Sequence, residues 1–192
     1  MFDDKWDQKW FEDRVVGRED TFTLVAEVCQ KLKCRTVLDV GGGIGILNRF
    51  LTKDTQHTVI DLSPKSKQFG EALFPDVTFI TGAIDQAPGM YDAVVALSLV
   101  EHLKDYRPFL ASAWNKAGKV VCISFRNGLD QNEKIVQKLR AYWDNKFSFP
   151  RLVLWIKEKL DPLWLSLEEA KVDRPYSPEL ILVLKKGIKN EG

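Results

Sequence analysis

The run Thr36-Val-Leu-Asp39-Val-Gly41-Gly42-Gly43-Ile-Gly45 decides how this chain is read. Thr36 to Val40 have the composition of a short buried β-strand, and the glycines then turn the chain toward a helix expected to begin near Ile46. Glycine suits such a turn because it takes positive φ and leaves no side chain in a ligand's path. The spacing is Asp39-x-Gly41-x-Gly43-x-Gly45. A G-x-G-x-x-G pattern would need its third glycine at position 46, which is Ile46. A phosphate-binding Gly-Lys-Ser/Thr loop is excluded as well, since the next lysine is Lys53.

A second acid narrows the reading. His57-Thr-Val-Ile-Asp61-Leu62 is another short apolar strand, and Asp61 lies at its tip. Twenty positions from Gly41 to Asp61 accommodate one crossover and a return strand. An acid at such a tip can accept both hydroxyls of a ribose. Here the chain resembles the class I S-adenosylmethionine-dependent methyltransferases: Asp39 to Gly45 are similar to their glycine motif, and Asp61 to their ribose-binding acid. Nicotinamide dehydrogenases share the second acid but not the glycine register. Tyr91-Asp-Ala-Val-Val-Ala-Leu97-Ser-Leu-Val-Glu101-His102-Leu103 resembles the fourth strand of the small-molecule methyltransferase group.

Composition describes a soluble globular protein. The chain has 192 residues, 45% hydrophobic and 29% charged, with a net charge of +1. That length suits one domain, and the balanced charge gives no electrostatic reason for a nucleic-acid partner. No stretch approaches the roughly 20 apolar residues of a membrane span. The opening Met-Phe-Asp-Asp-Lys-Trp has no signal-peptide character, so the expected location is cytoplasmic. Cys29, Cys34 and Cys122 have no metal-ligand spacing and read as small buried hydrophobes. With two histidines, neither beside a cysteine cluster, no metal site is expected.

Strand and helix patterns alternate through residue 125. Helices are expected over Thr21–Leu32, from Ile46 through Leu51, from Ser63-Pro64 to about Pro75, and around Phe109–Trp114. Further strands are expected at Val77–Thr81, Tyr91–Leu97 and Val120–Phe125. Beyond them, 132–143 and 151–160 read as helices, and Leu165–Val172 with Glu179–Leu184 as an antiparallel pair. The expected fold is a single Rossmann-like, doubly wound α/β domain over 1–192. Its sheet would have seven strands, mostly parallel, with an antiparallel last strand. Residues 1–18, with Trp6, Trp10 and Phe11, are a candidate lid, 36–125 the cofactor-binding core, and 129–164 a helical insertion. The aromatics between Tyr142 and Trp164 would either line an acceptor pocket or pack the extra helices.

The resemblance implies a cofactor, S-adenosyl-L-methionine, held by Asp39, Gly41, Gly42, Gly43, Gly45, Asp61, Leu62, Ala83, Ile84, Asp85 and Leu97. One position departs from the pattern. Relatives commonly follow Gly82 with an acid for the adenine amino group, whereas this chain has Ala83. Adenine would then rest on the backbone N–H of Ala83 or Ile84, with Asp85 or Gln86 reaching the amino group. His102 is the candidate general base, because an imidazole with a pKa of ~6.5 suits proton removal near neutrality. Glu101 is the alternate, and both could instead only contact cofactor or cap a helix. His57, at the start of its strand, is expected to be structural. Arg126 and Asn127 follow the fifth strand, where they would meet a polar acceptor or form a solvated turn. The expected activity is methyl transfer to a small-molecule acceptor. Alternatives are a non-catalytic S-adenosylmethionine-binding protein and a protein-directed methyltransferase.

Overall fold

The computed structural model describes residues 18–126, 164–168 and 179–186. Its strands are β1 (Thr36–Val40), β2 (Gln56–Asp61), β3 (Thr78–Thr81), β4 (Tyr91–Leu97), β5 (Ala117–Arg126), β6 (Trp164–Glu168) and β7 (Glu179–Lys185). They form one seven-stranded sheet in the order β3-β2-β1-β4-β5-β7-β6. β1 pairs in parallel with β2 and β4, β2 with β3, and β4 with β5. β7 runs antiparallel to both β5 and β6. The α/β class, the mostly parallel sheet and the antiparallel last strand are therefore as the sequence implies.

The helices are α1 (Glu19–Lys31), α2 (Pro64–Leu73) and α3 (Tyr106–Lys116). Their starts follow local chemistry. Ser63 caps α2 by accepting from the Ser66 N–H, with Pro64 in the first turn, and Asp105 caps α3 by accepting from the Arg107 N–H. Alternation along the strands sends side chains to opposite faces. Leu38, Ile60, Val94, Ala96, Val121 and Ile123 pack with Leu110 and Ala113 of α3. Val37, Ala93, Val95, Val120 and Cys122 pack with Phe22, Val25 and Cys29 of α1. With helices on both faces, each central strand is buried twice, which explains its near-continuous apolar run.

One expected helix is absent. After Gly45 the chain makes only a 3-10 turn, Ile46–Arg49, and β2 begins at Gln56. The reason is reach. The segment must return from the carboxyl edge of the sheet to its amino edge, a strand length of roughly 17–20 Å. Ten residues of α-helix rise only ~15 Å, so a tighter turn followed by extended chain covers the distance. The apolar residues that suggested a helix still serve the core, with Ile46 and Leu47 buried and Phe22 stacked on Phe50 at 5.3 Å.

The expected lid (apart from Arg18), the helices at 132–143 and 151–160, and nearly all of the 129–164 insertion lie outside the described residues. Among the described residues no helix is long and apolar enough to cross a membrane.

Candidate functional site

The strand order reverses between β1 and β4, so the loops leaving their carboxyl ends diverge and open a crevice. The glycine run lies there. Gly41, Gly43 and Gly45 have φ of 68°, 57° and 80°, left-handed values that side chains resist. Gly42 is fixed by a different constraint: a Cβ on it would lie 2.4 Å from the Asp39 carboxyl carbon. Asp39 is thus pressed under the loop, with only 3% of its surface exposed. Across the crevice Leu99, just past β4, approaches to 3.0 Å of where a Gly41 Cβ would sit.

Asp61 ties the loop to the tip of β2. One carboxylate oxygen accepts from the Gly43 N–H at 3.0 Å, and the other accepts from the Ser63 N–H at 2.8 Å. Burial pushes the Asp61 carboxyl above the usual range and the Asp39 charge adds to the rise, against the two N–H bonds. Each oxygen keeps a lone pair for a further donor. Leu62 beside it is exposed at 77%, an unusual position for leucine and a ready apolar surface at the crevice.

At the tip of β3, Ile84–Gln86 form a 3-10 turn. The Ala83 N–H donates to Gln86 Oε1 at 2.8 Å. A backbone N–H is a single donor, so in this structure the expected adenine contact through Ala83 is already taken. The Ile84 N–H remains, while the Ile84 side chain packs inward and Asp85 is exposed.

Beyond β4 the chain changes character. Leu97 ends the strand half-buried, and Ser98 has a φ of 52°, a left-handed value in a residue other than glycine. The Ser98 N–H donates to the Ser124 carbonyl at 3.0 Å and reaches the Ser124 hydroxyl at 3.1 Å. Arg18, the residue before α1, donates from Nη2 to Ser98 Oγ at 3.0 Å and lies 5.5 Å from the centre of the Phe22 ring. Val100–His102 form a 3-10 turn that carries Glu101, and His102 is exposed on it. Arg126 ends β5 at the same edge of the sheet.

The structure therefore gathers Asp39, the glycines, Asp61, Leu62, Ala83, Ile84, Asp85, Leu97 and the Glu101-His102 turn along one edge. Sequence reasoning missed the Asp39–Gly42 contact, the Asp61–Gly43 tie and the Arg18–Ser98 bond. It also missed that His57, buried near the amino end of β2, has Nε2 3.6 Å from Asp39 Oδ2. Among the described residues no group of three or more His, Cys, Asp or Glu is arranged to hold a metal ion.

Comparison with known proteins bears on this edge. Residues 38–118 match the family model of the methyltransferase domain. No curated protein matches the sequence. Among solved structures, the plantazolicin methyltransferase BpumL, in complex with a triazolic desmethylPZN analog and SAH, superposes with a TM-score of 0.69. It is 14% identical, over 95% of this chain and 92% of that one. Magnesium protoporphyrin IX methyltransferase (ChlM) from Synechocystis PCC 6803 with bound SAH gives 0.67 at 16% identity, over 96% and 90%. The methyltransferase domain of bacterial CtHen1 gives 0.65 at 15%, over 90% and 100%. The segment that builds the crevice is thus similar to the methyltransferase domain, and the chain shares the fold of these methyltransferase structures.

Proposed function

We propose that this chain transfers a methyl group from S-adenosylmethionine to a small-molecule acceptor. The observation that carries the reading is the Asp61–Gly43 tie, a left-handed glycine loop held by an acid at the tip of β2, to which we assign the ribose. The glycines leave the loop open toward the crevice, and Asp61 keeps acceptor capacity after its two backbone bonds. Asp39 supports the loop from below, Leu62 offers an apolar wall, and Leu97 ends β4 half-buried at the same edge.

The cofactor supplies a methyl group already activated on a sulfonium, so the protein's task is to hold acceptor and methyl carbon in line and exclude water. His102 is assigned as the base that takes the acceptor's proton, with Glu101 as its alternate. Both follow β4 on the binding edge. Residues 1–18 are assigned as the lid. Arg18, the one of these residues that the structure describes, is bonded to Ser98 just past β4. A small acceptor is favoured by the balanced charge, and two fold neighbours are named as acting on a magnesium porphyrin and on plantazolicin.

The test is calorimetry with S-adenosylhomocysteine and with nicotinamide nucleotides, followed by transfer of a labelled methyl group into a metabolite extract. Micromolar binding of S-adenosylhomocysteine and label in a small molecule are expected. Nicotinamide binding alone sinks the cofactor assignment, and label found only in protein sinks the acceptor class.

A further inference from the structure

Three titratable side chains share one face of β1 and β2. Positions 57, 59 and 61 alternate to the same side of β2, and Asp39 pairs with Val59 between them. Asp39 is therefore flanked by His57 toward the amino edge and by Asp61 toward the crevice. Two carboxylates on one buried face oppose each other, and the Asp39 charge does push Asp61 upward. It pushes the Cys29 thiol of α1 upward as well. A buried carboxylate needs compensation, because an isolated charge loses its hydration without return.

His57 sits where that compensation is needed. Its side chain and that of Asp39 are 1% and 4% exposed, with Nε2 and Oδ2 3.6 Å apart. Neither imidazole nitrogen reaches a hydrogen-bond partner. At that distance the contact is electrostatic rather than a formed hydrogen bond. A buried imidazole with both nitrogens desolvated is poor core filling, since an apolar side chain would occupy the same space without that penalty. The contact with Asp39 gives the imidazole a use.

We propose that His57 is a positioning residue of the cofactor site, acting through Asp39. Its imidazole opposes the Asp39 charge from below, which holds the carboxylate under Gly42 and limits its repulsion of Asp61. The two acids then face the loop together, Asp39 beneath Gly42 and Asp61 on the Gly43 N–H. The proposal rests on the reading that this loop holds S-adenosylmethionine.

The experiment is a double-mutant cycle on S-adenosylhomocysteine affinity, measured by calorimetry beside thermal midpoints. His57→Leu should weaken binding by about tenfold, the scale of one lost charge-assisted contact. His57→Gln, which keeps a side-chain N–H, should recover most of it. In an Asp39→Asn background, His57→Leu should change affinity less than about twofold, because the charge it acts on is gone. Nitrogen-15 labelling of histidine reads the contact directly, since the chain has only two histidines. The His57 ring signals should move in Asp39→Asn and on ligand addition.

A merely structural histidine gives a different result: His57→Leu lowers the midpoint equally in both backgrounds and leaves the affinity of the folded protein unchanged. That outcome overturns the proposal, as do His57 ring signals indifferent to Asp39→Asn. If His57→Leu does not fold, His57→Gln and the ring signals still decide. Wild-type protein that binds no S-adenosylhomocysteine fails the cofactor reading itself, and a wild type that binds no better than His57→Leu fails only this one.

Discussion

The two sides of the crevice are built by different means. On the β1–β2 side the backbone itself is tied down: Gly41 donates to the Ile60 carbonyl at 2.8 Å, and Gly43 and Ser63 donate to Asp61. On the β4–β5 side the chain leaves the sheet through a left-handed serine held by side chains, Arg18 and Ser124, and then exposes His102. A site whose backbone donors are already arranged binds without a large ordering cost. A site made of exposed side chains gains its final geometry when a ligand or a covering segment arrives. Under the proposed function, affinity for cofactor would belong to the first side and turnover to the second, and substitutions on each side should separate the two quantities.

The largest separation is expected at His102. If it removes the acceptor's proton, His102→Gln lowers turnover by ~100-fold or more, the scale of a positioned base. Affinity for S-adenosylhomocysteine should stay nearly unchanged in calorimetry, and the loss should be greatest below the pKa of the acceptor group. A parallel fall in binding and turnover would place His102 on the cofactor side of the crevice instead. No change in either would leave positioning alone to carry the reaction, with Glu101 next to be tested.

Asp61→Ala tests the opposite side. It removes the proposed ribose acceptor and also frees the Gly43 and Ser63 N–H groups. The expected loss is on the order of 2–3 kcal/mol, or about 30- to 140-fold in the dissociation constant. Turnover at saturating cofactor should fall far less. Equal affinity in variant and wild type would mean that the loop binds without its acid, and the contrast between the two sides would collapse.

How much of this was legible in the sequence follows from the range of each interaction. The glycine register and Asp61 obey local rules, a short strand followed by left-handed turns, and both are found where the residues put them. The Ser63-Pro64 helix start is equally local. The helix expected after Gly45 failed because the periodicity of Ile46, Leu47, Phe50 and Leu51 carries no information about the distance the segment must cover. The contacts of Asp39 depend on strand register, which fixes His57 and Asp61 on its face and is invisible before pairing is known. The Arg18–Ser98 bond joins residues 80 positions apart, and neither residue type stands out in its own neighbourhood. For the adenine contact, the missing acid at Ala83 was visible. That Gln86 folds back onto the Ala83 N–H was not, since a glutamine side chain has many rotamers and the turn selects one.

The smallest effect concerns stability on the cofactor side. Burial raises the Asp61 carboxyl above its unfolded value, with Asp39 adding to the rise and the Ser63 and Gly43 N–H groups opposing it. A raised acid binds its proton more tightly in the folded state than in the unfolded one. The stability this contributes is complete below the unfolded value of ~3.9 and is lost as pH rises through the folded value. Above the folded value the ionised Asp61 is therefore held at the expense of the empty fold. Asp61→Asn stays neutral throughout, so its thermal midpoint relative to wild type should improve as pH climbs from below ~3.9 through that window, then level off. Affinity for S-adenosylhomocysteine should move the other way, lower in the variant at neutral pH and closer to wild type in acid. A variant that loses ground in stability as pH rises would show that the bonds to Gly43 and Ser63 outweigh the burial. The cofactor side would then be held by its acid rather than strained by it.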